Sequence, residues 1–316
     1  MLNVVVVGAG PHFISQHAPA LVHFVERHPG KIRLAGVCDV QAERAERARQ
    51  ACGFEAAFTS VEEMLAKVEV GAALAILPYK GTLSILEEFM KRGIPLVMEK
   101  PLGEDMVEAA SMAAAAKRWN APVMVSLNRR FDPGILVAKR WLADKGPMRY
   151  MVGSMLRVKR TEGFFIWGTG IHLLDAMVAV AGPLELADDR DVRRVGEYGC
   201  SATLRGSGGL VASADILPVT GRDEERLRMV GDDYCVDVWT GIAQQWSVRA
   251  YLDSKLVLAE DGPEEESRDL RNGTYNETEA FLLAVLEGRS LPSPSIPEAM
   301  VSSALAEALL RKCFPA

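Results

Sequence analysis

The 316-residue chain has only five cysteines, Cys38, Cys52, Cys200, Cys235 and Cys313. They are scattered, with no C-x-x-C pair, which speaks against a zinc ribbon or a disulfide framework. They read as reduced thiols of a cytoplasmic protein, and no metal centre is expected. Charge of one sign is never concentrated: 36 Lys and Arg stand against 42 Asp and Glu, for a net charge of −6. Without a basic run, nucleic acid is not an expected partner. Apolar runs fall far short of the ~20 residues that span a bilayer, so no membrane association is expected. No secretory leader is expected either, because the valines at 4–7 lead straight into glycines. Internal repeats and low-complexity linkers are missing too. About half of the residues, 49%, are apolar, enough for two well-buried cores.

What is present is a clear change of period. Residues 3–7, 32–38, 72–77, 94–98 and 123–126 read as buried strands. Between them, residues 11–27, 41–51, 82–91 and 104–119 read as helices, and Ser60 with Glu63 forms a capping box for a further short one. Strands alternating with helices predict a parallel, doubly wound α/β sheet over residues 1–125. Residues 126–316 form the second domain. A helix is expected at 131–144, and short strands dominate from 149 onward. Gly206-Ser207-Gly208-Gly209, Gly231-Asp232-Asp233 and Asp253-Ser254 read as hairpin turns, hence an antiparallel sheet in an α+β domain. Asn276 with Glu279, and Ser295 with Glu298, read as capping boxes of two C-terminal helices. Residues 261–272 are charged and read as a loop.

In such a sheet ligands bind beyond the carboxyl ends of the strands, and the residues there carry chemistry. Gly8-Ala9-Gly10 follows the first strand and opens a helix. Bare backbone there can approach a pyrophosphate, and the helix N-terminus offers N–H groups. Pro11 suits a first helical turn. The third glycine of the pattern is replaced by Phe13, which predicts a helix set further from the sheet. The alternative is a plain strand–helix turn. Asp39 ends the second strand, where a carboxylate accepts from both ribose hydroxyls and repels a 2′-phosphate. It favours NAD over NADP, with Arg44 near enough to soften the preference; the alternative is a helix cap. Leu77-Pro78-Tyr79 ends the strand at 72–77, and Tyr79 either packs on the nicotinamide ribose or covers the domain edge. Glu99-Lys100-Pro101 ends the next strand, so Lys100 can face the bound nucleotide. Asn128, at the exit of the last strand, is a further cofactor candidate. His12 sits beside the phosphate turn, whereas His17 reads as a helix-face residue. Arg157 and Lys159 either meet an anionic substrate or line a sheet, and Trp167 reads as core.

His172 and Asp175 lie three apart at the start of an apolar helix and share a face. Taken in order, the Gly-x-Gly, the Glu-Lys-Pro, Asn128-Arg129-Arg130-Phe131-Asp132-Pro133 and the Gly170-x-His172-x-x-Asp175 pattern resemble the Gfo/Idh/MocA oxidoreductase family. Residues 279–288 and 297–310 resemble its C-terminal pattern. The resemblance implies a Rossmann domain, then a domain with a large open antiparallel sheet, one face of which builds a homodimer or homotetramer. It implies NAD(P)-dependent hydride transfer on a small-molecule hydroxyl or carbonyl, sugar-like, or on an imine. In its terms Lys100 lies beside nicotinamide and substrate and His172 carries the proton. Asp175 is then the candidate to orient His172. Two departures stand out. The family's aspartate four residues before the histidine is Gly168 here, expected to leave a space that a larger substrate fills. The family's histidine after the strand-four proline is Thr82 here. A dinucleotide-binding sensor without catalysis is therefore the alternative.

Overall fold

The first strand, β1 (Leu2–Val7), is a run of valines with no more than 3% exposure at any of the four, as a strand covered on both faces requires. In the computed structural model, which describes residues 1–314, it is central to a six-stranded sheet. The others are β2 (Ile32–Cys38), β3 (Ala57–Phe58), β4 (Ala72–Ala75), β5 (Leu96–Glu99) and β6 (Val123–Ser126). Every pairing is parallel, in the order β3-β2-β1-β4-β5-β6. This is the doubly wound arrangement predicted from the sequence, and its strand order reverses between β1 and β4. Helices α1 (Ala18–Arg27), α2 (Ala42–Cys52), α3 (Val61–Lys67), α4 (Leu83–Met90) and α5 (Met106–Trp119) connect the strands. Local chemistry sets their ends. Ser60 Oγ accepts from Glu63 N at 3.3 Å, as its spacing predicts. Asp105 caps α5 by accepting from the amides of Val107 and Glu108 at 2.8 and 2.9 Å.

The remaining strands form a nine-stranded sheet. After α6 (Pro133–Leu142) come β7 (Tyr150–Leu156), α7 (Ile171–Ala181), β8 (Leu184–Leu186), β9 (Val192–Val195), β10 (Gly199–Gly206), β11 (Val211–Leu217), β12 (Glu224–Val230), β13 (Tyr234–Trp239), β14 (Ser247–Leu252) and β15 (Lys255–Asp261). The order is β15-β14-β13-β12-β7-β11-β10-β8, with β9 on β10. All three expected hairpins form, and the Asp253-Ser254 turn has φ of 47° and 65°, the left-handed pair that a tight hairpin needs. One pairing, β7 with β11, is parallel, so the sheet is mixed. Burial alternates along β7 and β11, placing Met151, Met155, Ala212, Ala214 and Ile216 on the covered face.

The chain packs as two units, Met1–Leu127 with Thr274–Met300, and Asn128–Gly273 with the residues from Val301 on. The last helices, α8 (Arg268–Arg271), α9 (Thr274–Leu286) and α10 (Ile296–Cys313), are thus shared between them. Helix α9 joins the first unit through side chains on α1 and β6. The Arg27 guanidinium lies 4.5 Å over the Tyr275 ring, His28 Nε2 stands 2.7 Å from Glu279 Oε1, and Ser126 Oγ donates to Glu277 at 2.8 Å. The Asn276–Glu279 capping box therefore does not form: the helix starts at Thr274, and Glu279 is taken by His28 and by the Tyr275 hydroxyl. At Ser295 the expected box is made on the side of Glu298, which accepts the Ser295 amide at 2.6 Å. Residues 261–272 contain α8 rather than loop alone.

In the second unit one buried carboxylate ties three elements together. Glu225, at the start of β12, accepts from Arg129 at 3.0 and 3.1 Å and from Arg157 just past β7. Burial pushes the Glu225 carboxyl up, but the two guanidinium groups outweigh it and hold it below the usual carboxylate range. Its contribution to stability is therefore complete above the unfolded pKa of about 4.3 and is lost as pH falls through the lower folded value. Replacing it, Glu225→Gln, strands two buried cations and is expected to cost about 3–5 kcal/mol. Urea unfolding at pH 7 measures the loss, and the variant's stability should fall less than the parent's between pH 5 and pH 3.

Candidate functional site

Where β1 ends, Gly8 takes φ +93°, and a side-chain carbon built on it would stand 2.1 Å from the Ile76 carbonyl oxygen. Only glycine fits so close to the β4 exit. A carbon built on Gly10, by contrast, meets nothing within 4 Å, so its backbone is open to a ligand. Asp39 is 8% exposed and fixed by two amides, Ala9 N to Oδ2 and Gln41 N to Oδ1, each at 2.9 Å. It is not the cap of α2, whose N-cap is Gln41. A carboxylate has about four acceptor positions, so this one keeps capacity for hydroxyl donors. These residues line a cavity of about 690 Å³ in the first unit, at the carboxyl ends of the strands. That is the size range of a cofactor site. Pro11, His12, Phe13, Leu77, Pro78, Tyr79, Glu99 and Lys100 line it as well, with Arg44 and Thr82. Asn128 does not. It lies in the second unit, donates to the Asn272 carbonyl at 3.0 Å and accepts from Arg129 at 2.8 Å.

The helix after Gly10 departs from ideal geometry. Over Phe13–His17 it widens to i→i+5 bonding, Ala18 N–H reaching the Phe13 carbonyl. Phe13 is fully buried, its ring 6.4 Å from that of Phe54. The wider turn also brings His12 and His17 to one carboxylate. Glu99 Oε1 stands 2.6 Å from His17 Nε2 and 3.2 Å from His12 Nε2, and Oε2 accepts from the Lys100 amide at 3.2 Å. Burial would raise the Glu99 carboxyl, but the hydrogen bonds from His12 and His17 outweigh it and hold it well below the carboxylate range. The sequence pattern missed this pairing, because in a regular helix residues five apart lie about 140° from each other.

In the second unit, His172 is the second residue of α7 and is 7% exposed. Asp175 is fully buried and clamps Arg130, accepting at 2.6 and 2.8 Å, and also accepts from Ser302 Oγ at 2.9 Å. The motif at 128–133 is largely spent on such bonds. Arg129 holds Glu225, Arg130 holds Asp175, and Asp132 caps α6 while accepting the Gly241 amide at 2.8 Å. Arg157 is likewise consumed by Glu225, and Trp167 is core at 2% exposure. The space expected at Gly168 does not exist. A carbon built there would stand 2.6 Å from two atoms of the Phe164 ring. The aromatic face of Phe164 fills that position.

A parallel sheet with a glycine-turned cavity at its switch point, followed by a large mixed sheet, defines a dinucleotide-binding α/β protein. Residues 2–127 match the family model described as oxidoreductase family, NAD-binding Rossmann fold. That model is the Gfo/Idh/MocA one, its match covers the nucleotide-binding part of the chain, and the nucleotide it describes is NAD. It is similar to a D-apiose dehydrogenase of Paraburkholderia graminis, at 26% identity over 45% of this chain and 41% of that one. A UDP-N-acetylglucosamine 3-dehydrogenase of Acidithiobacillus ferrooxidans is 30% identical over 52% of this chain and 50% of that one. The chain spans about half the length of the curated relatives it matches. An Agrobacterium radiobacter oxidoreductase, solved with NAD+, L-tartaric acid and magnesium, shares the fold at a TM-score of 0.81. It is 16% identical, over 99% of this chain and 96% of that one.

Filling the Gly168 position tests the packing. Gly168→Asp forces the Phe164 ring aside and is expected to destabilise the protein by about 1–3 kcal/mol. Thermal and urea unfolding measure this, and paired with Phe164→Ala the cost should largely vanish.

Proposed function

We propose that the protein is an NAD-dependent oxidoreductase acting between a hydroxyl and a carbonyl on a small, sugar-like substrate, or reducing an imine. The observation that carries this reading is the single cavity that holds the open Gly10 backbone, the ribose-type carboxylate of Asp39 and the lysine that ends β5. The residues fit the nucleotide. The Gly10 backbone is open to a phosphate, with nothing within 4 Å of where a side chain would begin, and Asp39 is locked by Ala9 and Gln41 with acceptor capacity left for the ribose diol. When bound, NAD supplies the carbon that accepts or returns the hydride. Lys100 orients and polarises the substrate oxygen, the role its place in the Glu-Lys-Pro motif supports. His172 takes the hydroxyl proton on oxidation and returns it on reduction. Asp175 acts at one remove, holding Arg130 and the α7 start in place rather than touching substrate. A homodimer or homotetramer built on the second unit's sheet belongs to the same proposal, as does a cytoplasmic location.

A second reading, a dinucleotide sensor without turnover, is favoured by one observation: Phe164 packs where the family's carboxylate would stand.

Two measurements decide between them. NADH or NADPH is mixed with a panel of aldehydes, ketones and imines and absorbance is followed. Lys100→Ala should lower turnover by about 10²-fold or more while nucleotide affinity changes little. Tight nucleotide binding with no turnover on any compound carries the sensor reading instead. Asp39→Ala should weaken NADH about 10- to 100-fold, the worth of charge-assisted hydrogen bonds, and should narrow the gap to NADPH. Equal binding of NADH by parent and variant would show that Asp39 does not hold the ribose.

A further inference from the structure

Two imidazoles and a carboxylate converge on the wall of the nucleotide cavity, and the proposed reaction uses none of the three. The ligand atoms of His12, His17 and Glu99 all lie within 4.8 Å of one another. We propose that these three side chains form a binding site for a divalent ion of the zinc class.

The backbone supports this first. His12 and His17 would point apart on a regular helix, and the i→i+5 turn over Phe13–His17 brings their rings to 5.6 Å between centroids in an edge-to-face arrangement. The donor set is the second support. Imidazole nitrogens with one carboxylate oxygen are the ligands that zinc takes when three come from protein and the fourth position stays open. The two oxygens of Glu99 are also divided in their duties. Oε2 is held by the Lys100 amide at 3.2 Å, so Oε1 is the end presented to both histidines.

Distances come third. Tetrahedral bonds of about 2.0–2.1 Å set neighbouring ligand atoms about 3.3 Å apart. His12 Nε2 already stands 3.2 Å from Oε1, while His17 Nε2, at 2.6 Å, must back away by about 0.7 Å. His17 and Glu99 are buried and fixed, whereas His12 has a 56% exposed side chain and can swing to close the site. Because His12 and Glu99 both line the cavity, the open fourth position serves water or an oxygen of whatever the cavity holds.

The test uses the full-length protein without nucleotide, so it does not depend on the oxidoreductase reading. Cobalt(II) chloride and zinc chloride are titrated by calorimetry, and cobalt is also followed by its visible absorption. The expected result is one equivalent bound, with the intense visible bands of a tetrahedral nitrogen–oxygen site and no thiolate charge-transfer absorption. His12→Ala, at an exposed position that leaves the core intact, should weaken binding at least about tenfold. Glu99→Gln should do the same, and His28→Ala, which removes an imidazole elsewhere, should leave it unchanged. No stoichiometric uptake by the parent, cobalt bands of thiolate type, or equal affinity in His12→Ala would overturn the site and leave a hydrogen-bonded trio only.

Discussion

Gly8 leaves β1 so close to the exit of β4 that the Ile76 carbonyl oxygen occupies the space where any side chain would begin. That contact has no slack, and the geometry of the cavity follows from it. The turn at Gly8 aims the next residues across the strand ends, so Gly10 presents bare backbone and Ala9 is left to bind Asp39 from β2. Because the strand order reverses here, α1 and α4 diverge from neighbouring strands and leave a hollow between their starts. Valines buried on both faces of β1 hold the whole arrangement by apolar packing that has no polar requirement of its own.

The second unit is organised by charge instead. Two buried carboxylates, Glu225 and Asp175, are each met by arginines from the short stretch that follows β6. Such pairs contribute little net energy against an apolar alternative, since both partners give up water. Their effect is on register: one residue of slippage in β12 or α7 would leave a guanidinium facing no acid. Gly273 adds a steric demand at the same place, with φ +86° and the Asn128 carbonyl 2.4 Å from where a side chain would start. The motif that looked like site chemistry is thus largely the fastening of α7 and the mixed sheet.

Most of the architecture was legible in the sequence, because period and punctuation are local. The parallel sheet, the three hairpins at Gly206–Gly209, Gly231–Asp233 and Asp253–Ser254, and the cap at Ser60 all depend on residues a few positions apart. What could not be read depends on partners distant in the chain. Glu279 looks like a capping residue until His28, far upstream, claims it. Arg157, just past β7, reads from the sequence as a sheet-lining or substrate residue until Glu225 is brought beside it. His17 reads as a helix-face residue because a regular helix was assumed, and one widened turn reverses that. The cavity residues were found from sequence because each ends or closely follows a strand, whereas Asn128, two residues past the last strand end, belongs to the other unit.

Position 168 shows why a missing group is not the same as a missing volume. A glycine beside a histidine-bearing helix could leave a hole, a water site or a packing contact. Interiors close-pack, so the contact is the favoured outcome, and here it is the Phe164 ring at a distance that only glycine permits. Gly168 and Phe164 are therefore one packing unit. Each makes sense only with the other, because a side chain at 168 would evict the ring and a smaller residue at 164 would open a void.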